Sequence, residues 1–94
     1  MLEVVFEQPF DVARLTAWLE RLTREQGADL FRVKGIVDIA GDDRRWVLQA
    51  VHTLLDFRAD ILWGLSPRSS RFVFIGRNLD RAMFQSALDA CITK

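Results

Sequence analysis

Cysteine occurs once, at Cys91, and histidine once, at His52. A lone cysteine cannot close an internal disulfide, so a reducing compartment, the cytoplasm, is expected. A lone histidine excludes a His–His metal pair within one chain. It leaves His52 and Cys91 as weak metal candidates on separate elements, without ligand spacing. An excess of one charge is also missing, since thirteen basic residues balance thirteen acidic ones. Nucleic acid is therefore not an expected partner, because such binders carry a basic excess. No apolar run approaches the roughly 18 residues that span a bilayer, and the first residues lack a signal-peptide layout, so no membrane partner is expected. No glycine-rich phosphate loop occurs, and Lys34-Gly35 has no glycines before it. Ser66, Ser69 and Ser70 lie in a loop segment without an evident base, which disfavours a nucleophilic serine.

What is present is apolar. Half of the 94 residues are hydrophobic, including seven Phe and three Trp, which excludes disorder by composition. The length suits one domain, residues 1–94, with one modest core. Leu30 to Ile39 nearly alternates apolar and polar residues, as a half-buried strand requires. Phe31, Val33, Val37 and Ile39 share one face with Gly35, a glycine that suggests a bulge or a helix packed close above it. Arg32, Lys34 and Asp38 share the other face with Ile36.

Before this strand, Leu2 to Phe6 reads as a short strand. Asp11 is a good N-cap for a helix over Val12 to Gln26, with Gly27 expected as its left-handed terminator. After it, Ala40-Gly41-Asp42-Asp43 reads as a hairpin turn, and Asp42 to Arg45 as a solvated stretch. Trp46 to Leu54 alternates, placing Leu48, Ala50, His52 and Leu54 with Trp46. Here His52 is best explained as a partly buried strand residue. Phe57 to Trp63 gives another strand, with Phe57, Ala59, Ile61 and Trp63 opposed to Arg58, Asp60 and Leu62. Phe72 to Ile75 is apolar throughout, as in a strand buried on both faces. Asn78 is a plausible cap for a last helix from Leu79 to Ile92, whose stripe comprises Met83, Phe84, Ala87, Leu88 and Cys91.

The order is β-α-β-β-β-β-α. It implies an α+β fold: a two-layer sandwich of a mixed, mostly antiparallel sheet with both helices on one face. The other face then carries Ile36, Val47, Val51 and Leu62, ringed by Arg32, Lys34, Gln49, Arg58 and Asp60. An apolar centre with a charged rim is how a partner-contact surface looks.

Several segments in order resemble the C-terminal domain of the CobW family of P-loop GTPases. They are Pro9-Phe10-Asp11, Trp18-Leu19, Phe31-Arg32-Val33-Lys34-Gly35, Leu48-Gln49-Ala50-Val51-His52 (with Ala50 at the family's glycine position), Arg71 to Asp80, and Leu88-Asp89-Ala90-Cys91. The resemblance implies a non-catalytic interaction or regulatory module of a GTP-dependent metal chaperone acting in zinc or cobalt homeostasis and cobalamin synthesis. GTP, magnesium and zinc or cobalt are implied for the full-length family. Its phosphate loop, magnesium-binding acid and cysteine-rich motif match nothing in this chain, so no catalytic or cofactor-binding residue carries over. The implied partners are a GTPase domain of the same family, a metalloprotein client and a second copy of the chain. The alternative is a small stand-alone metal-binding protein using His52 and Cys91.

Overall fold

The computed structural model describes residues 1–93. Its elements are β1 (Leu2–Phe6), α1 (Val12–Gln26), β2 (Leu30–Asp38), β3 (Arg44–Val51), β4 (Leu54–Leu62), β5 (Ser70–Gly76) and α2 (Arg81–Asp89). The strands form one sheet in the order β1-β5-β2-β3-β4, and β2 is its central strand. Every strand pair is antiparallel. The expected mixed sheet is corrected because β5 inserts between β1 and β2, so the β1-α1-β2 connection skips a strand. Among the described residues, parallel pairing survives only as one isolated bridge, Phe10 to Ile39. There Phe10 N–H donates to the Asp38 carbonyl at 2.8 Å and Ala40 N–H to the Phe10 carbonyl at 2.9 Å.

The alternating apolar residues Leu2, Val4, Phe6, Val33, Val37, Leu48, Ala50, Phe72 and Phe74 supply the sheet's share of the core. Trp18 of α1 and Phe84 of α2 both meet Phe74 of β5 edge-on, at centroid distances of 6.3 and 4.9 Å. They also meet each other at 5.8 Å. Both helices thus join the sheet on the face that carries Phe74. Phe6, Phe10 and Phe72 extend the aromatic cluster toward β1, again edge-to-face, the arrangement that the ring quadrupole favours.

α1 begins as its sequence indicates, with the Asp11 carboxylate accepting from Arg14 N–H at 3.0 Å. Its end differs from expectation: Gly27 is right-handed, at φ −57°. Gly27 is there for space. A Cβ would overlap the Thr23 carbonyl oxygen of α1 and lie 2.7 Å from Cγ2 of Thr53, in the β3–β4 hairpin. α2 is shorter than expected. Asp80 caps it through Met83 N–H at 3.1 Å, whereas Asn78 takes a left-handed conformation at φ 58° in the preceding turn. Cys91 packs just beyond the helix, and Met83 is exposed.

Three further expectations fail, two of them through register. A shift between Leu30 and Arg32 turns Leu30 inward and leaves Phe31 exposed. A second shift, between Arg44 and Trp46 on β3, sets Ala59 opposite Trp46 but Leu62 opposite Arg44, and leaves Ile61 exposed. β5 is covered on one face only, since Phe72 and Phe74 are buried while Ile75 is exposed.

Candidate docking face

Strand pairing lays the uncovered face of the sheet out in rows. One row reads Val5, Arg71, Ile36, Val47, Arg58, and the next reads Glu3, Val73, Lys34, Gln49, Asp56. Ile36 and Val47 sit between Arg71 and Arg58, Val73 sits between Glu3 and Lys34, and Val5 lies at the outer edge beyond Arg71. Lys34, Ile36, Val47, Gln49, Arg71 and Val73 line a shallow depression, with Gly35 and Leu48 beneath. Val51 stands half exposed at 50% and pairs with Leu54 at 76%.

Of the residues proposed as partner contacts from sequence, Arg32, Lys34, Ile36, Val47, Gln49, Val51 and Arg58 fall on this face. Leu62 does not. The bulge on β4 pairs it with Arg44, whose alternation matches that of the core residues Trp46 and Leu48, so its assignment to the strip is corrected. Sequence reasoning missed Val5, Arg71, Val73 and Ile75. The alternation of β1 carries the signal for Val5, whereas the apolar run of β5 reads as buried on both faces.

Rim charges are partly paired among themselves. Arg71 meets Glu3 and Arg58 meets Asp56, both at 3.6 Å, and Arg45 meets Asp60 at 3.3 Å. Among the described residues Arg32 and Lys34 have no such pair. Exposed pairs of this kind add little stability and can exchange partners at small cost.

The candidate chemical residues are structural. His52 is the first residue of a two-residue turn between β3 and β4, at φ 53°, which corrects its reading as a strand residue. Its Nδ1–H donates to the Gly27 carbonyl at 2.8 Å and its N–H to the Leu30 carbonyl at 3.0 Å. These bonds fasten the hairpin tip to the end of α1. The Cys91 thiol is buried, its Sγ–H donates to the Ala87 carbonyl, and burial pushes its pKa up. Among the described residues no group of three or more His, Cys, Asp or Glu could hold a metal ion. His52 and Cys91 therefore lack the further ligands that a zinc site needs.

The turns are ordered by ion pairs and hydrogen bonds. Ser70 is fully buried and its Oγ accepts from Asp38 N–H at 2.8 Å, a strand-fixing role. Buried Asp38 pairs with Arg68 from the β4–β5 loop at 2.7 Å, and Arg68 also donates to the Asp42 carbonyl. The Asp42 carboxylate accepts from Arg44 side chain and N–H and from Trp46 Nε1–H, so Asp42 orders the turn. The Arg44 guanidinium, that N–H and the indole together hold its carboxyl well below the usual range. Arg77 donates to Asp29 at 2.8 Å and lowers that carboxyl too.

The sequence family described as Cobalamin synthesis protein cobW C-terminal domain matches residues 2–92. The chain belongs to this CobW C-terminal domain family. Two curated relatives are similar to it. Zinc chaperone YjiA of Escherichia coli (strain K12) is 31% identical over 84 residues, covering 89% of this chain and 26% of the relative. Zinc chaperone CobW of Sinorhizobium sp is 35% identical over 66 residues, covering 68% of this chain and 19% of the relative. The crystal structure of zinc-bound YjiA GTPase from E. coli superposes with a TM-score of 0.91 at 28% identity, over 98% of this chain and 29% of that one. A zinc-bound triple mutant of YjiA GTPase gives the same values. The chain thus spans about a quarter of its relatives' length, and their GTPase domain is not within these 94 residues.

In this CobW C-terminal domain the segments that resemble the family have structural duties. Thr93 N–H donates to the Pro9 carbonyl and Asp11 N–H to the Cys91 carbonyl, both tying the start of α1 to the chain end. Gly76, Arg77, Asn78 and Asp80 serve as close-packing glycine, ion-pair donor, left-handed turn residue and helix cap. No helix among the described residues is long and apolar enough to cross a membrane.

Proposed function

We propose that this domain is the non-catalytic docking and regulatory module of a GTP-dependent zinc chaperone, and that its open sheet face seats a GTPase domain of the same family. The observation that carries this reading is the apolar patch of Ile36 and Val47, with Val73 nearby, on a face whose central-strand cations Arg32 and Lys34 lack ion-pair partners among the described residues. Family membership supports it, because relatives of the same family are named zinc chaperones and solved as a GTPase. A metalloprotein client is the second candidate for the same face. Metal binding by His52 and Cys91 is not favoured, since among the described residues no group of three or more His, Cys, Asp or Glu could hold a metal ion.

Titrating the domain with a separately produced GTPase domain tests the proposal by calorimetry. Val51→Glu is expected to leave the circular dichroism spectrum unchanged and to weaken binding roughly tenfold or more, because the new carboxylate would be desolvated without a counter-ion. Unfolding of that variant would show that the faces are assigned wrongly. Unchanged folding and unchanged binding would reduce the strip to ordinary exposed surface.

A further inference from the structure

A second surface, separate from the open face, lies at the sheet edge formed by β4. This strand has no buried residue, although each of the other four has at least one. Leu55 and Phe57 pack against the core only in part, and Leu54 and Ile61 are exposed. At the opposite edge Arg81 of α2 takes up the Glu3 carbonyl of β1 at 3.0 Å.

The turn fixes which backbone groups of β4 are free. A two-residue connection makes Val51 and Leu54 the first hydrogen-bonded pair. Alternation then directs the groups of Leu54, Asp56 and Arg58 toward β3, and those of Leu55, Phe57 and Ala59 outward. Among the described residues no bond from a side chain or loop reaches these three. Two of the usual protections of an edge are missing here, and the charges it does carry, Asp56 and Arg58, are of opposite sign. Leu55 to Ala59 contains no proline and no lysine, and the bulge begins only beyond Ala59.

The geometry points to β4 as the pairing edge for a second copy of this chain, antiparallel about a two-fold axis at Phe57. Charge selects this register. Outward residues must face outward residues, which leaves two-folds at Asp56, Phe57 or Arg58 as the well-overlapped choices. At Asp56 the axis sets Asp56 on the partner's Asp56. At Arg58 it sets Arg58 on the partner's Arg58 and Asp56 on the partner's Asp60. Like charges directly opposite destabilise. Only at Phe57 does Asp56 face the partner's Arg58 and Arg58 face the partner's Asp56. That register also sets Leu55 on the partner's Ala59 and brings the two half-buried Phe57 rings together. Asp56 and Arg58 already pair within one strand at 3.6 Å while largely exposed, so exchanging partners costs little.

Sedimentation equilibrium on the whole chain, from about 10 µM to about 1 mM, is expected to show reversible dimerisation, as a small single-edge interface implies. Asp56→Arg alone and Arg58→Asp alone should each weaken self-association roughly tenfold or more. An equimolar mixture of the two variants should recover the dimer, because each then meets its opposite charge. Phe57→Cys should cross-link on mild oxidation, since a hydrogen-bonded pair holds its Cα atoms about 5.5 Å apart, within disulfide range. Asp56→Cys should not. The cross-link is also a readout independent of how well the charged variants fold. A chain monomeric throughout that range, a mixture that stays monomeric, or cross-linking equal at both positions overturns the proposal.

Discussion

Replacing Gly76 by alanine sets two physical effects against each other. Gly76 ends β5 opposite Leu30, at the irregularity in the β2–β5 register. Its φ is not positive, so alanine can adopt the backbone conformation. The loss of unfolded-state freedom alone would then stabilise the variant by about 0.4–1 kcal/mol. Space argues the other way. A Cβ there would overlap the Asp29 carbonyl oxygen and lie 3.1 Å from its carbon and 3.3 Å from Leu30 Cα. All three atoms are backbone, so no rotamer change relieves them. Overpacking of this kind costs about 1–3 kcal/mol. Displacing Asp29 also strains the bond from Arg77 N–H to its carbonyl, 3.0 Å long, a contribution of about 1 kcal/mol. The net expectation is destabilisation by about 2 kcal/mol, or roughly 8–16 °C in Tm for a chain of this size. Thermal melts followed by circular dichroism decide the sign, with Gly41→Ala as control. Gly41 has φ +80° but nothing within 4 Å of a new Cβ, so its cost is conformational only. A Gly76→Ala protein melting at or above the parent temperature would refute the steric account.

Other expectations can be checked on the same samples. Gly35→Val should lower stability by about 1–3 kcal/mol, measurable by urea denaturation; the crowding comes from the Arg71 carbonyl at 3.0 Å and Leu48 at 3.4 Å, not from a helix as the sequence suggested. Asp42 has a carboxyl lowered by folding, chiefly through the Arg44 side chain. Its stabilising contribution is therefore complete above the unfolded pKa of about 4 and is lost as pH falls below that value, so Asp42→Asn should lower Tm at neutral pH and flatten the acid limb of the Tm–pH curve. Buried Cys91, with its raised pKa, should react with a thiol reagent at pH 8 at least about tenfold more slowly in the native chain than in denaturant. Equal rates would place the thiol in solvent.

The sequence by itself determined the element order, the span and cap of α1, the central place of Leu30 to Ile39, and most of the open face. These depend on local periodicity and on side-chain capping, which a single chain records directly. It also carried the family resemblance that residues 2–92 bear out. Tertiary structure alone decided the rest. The insertion of β5 between β1 and β2 follows from pairing across many residues, and alternation cannot report which strands are neighbours. The irregularities beside Leu30 and Trp46 each reverse the alternation locally, which exposed Phe31 and removed Leu62 from the strip. Gly27 and Gly76 look like ordinary chain-breaking glycines in sequence. Gly76 is there because the Asp29 backbone packs against it, and Gly27 because the β3–β4 hairpin adds to the crowding from the Thr23 carbonyl of its own helix; close approach of distant segments leaves no local signal. His52 likewise has its place because its ring reaches the Gly27 carbonyl, twenty-five residues earlier.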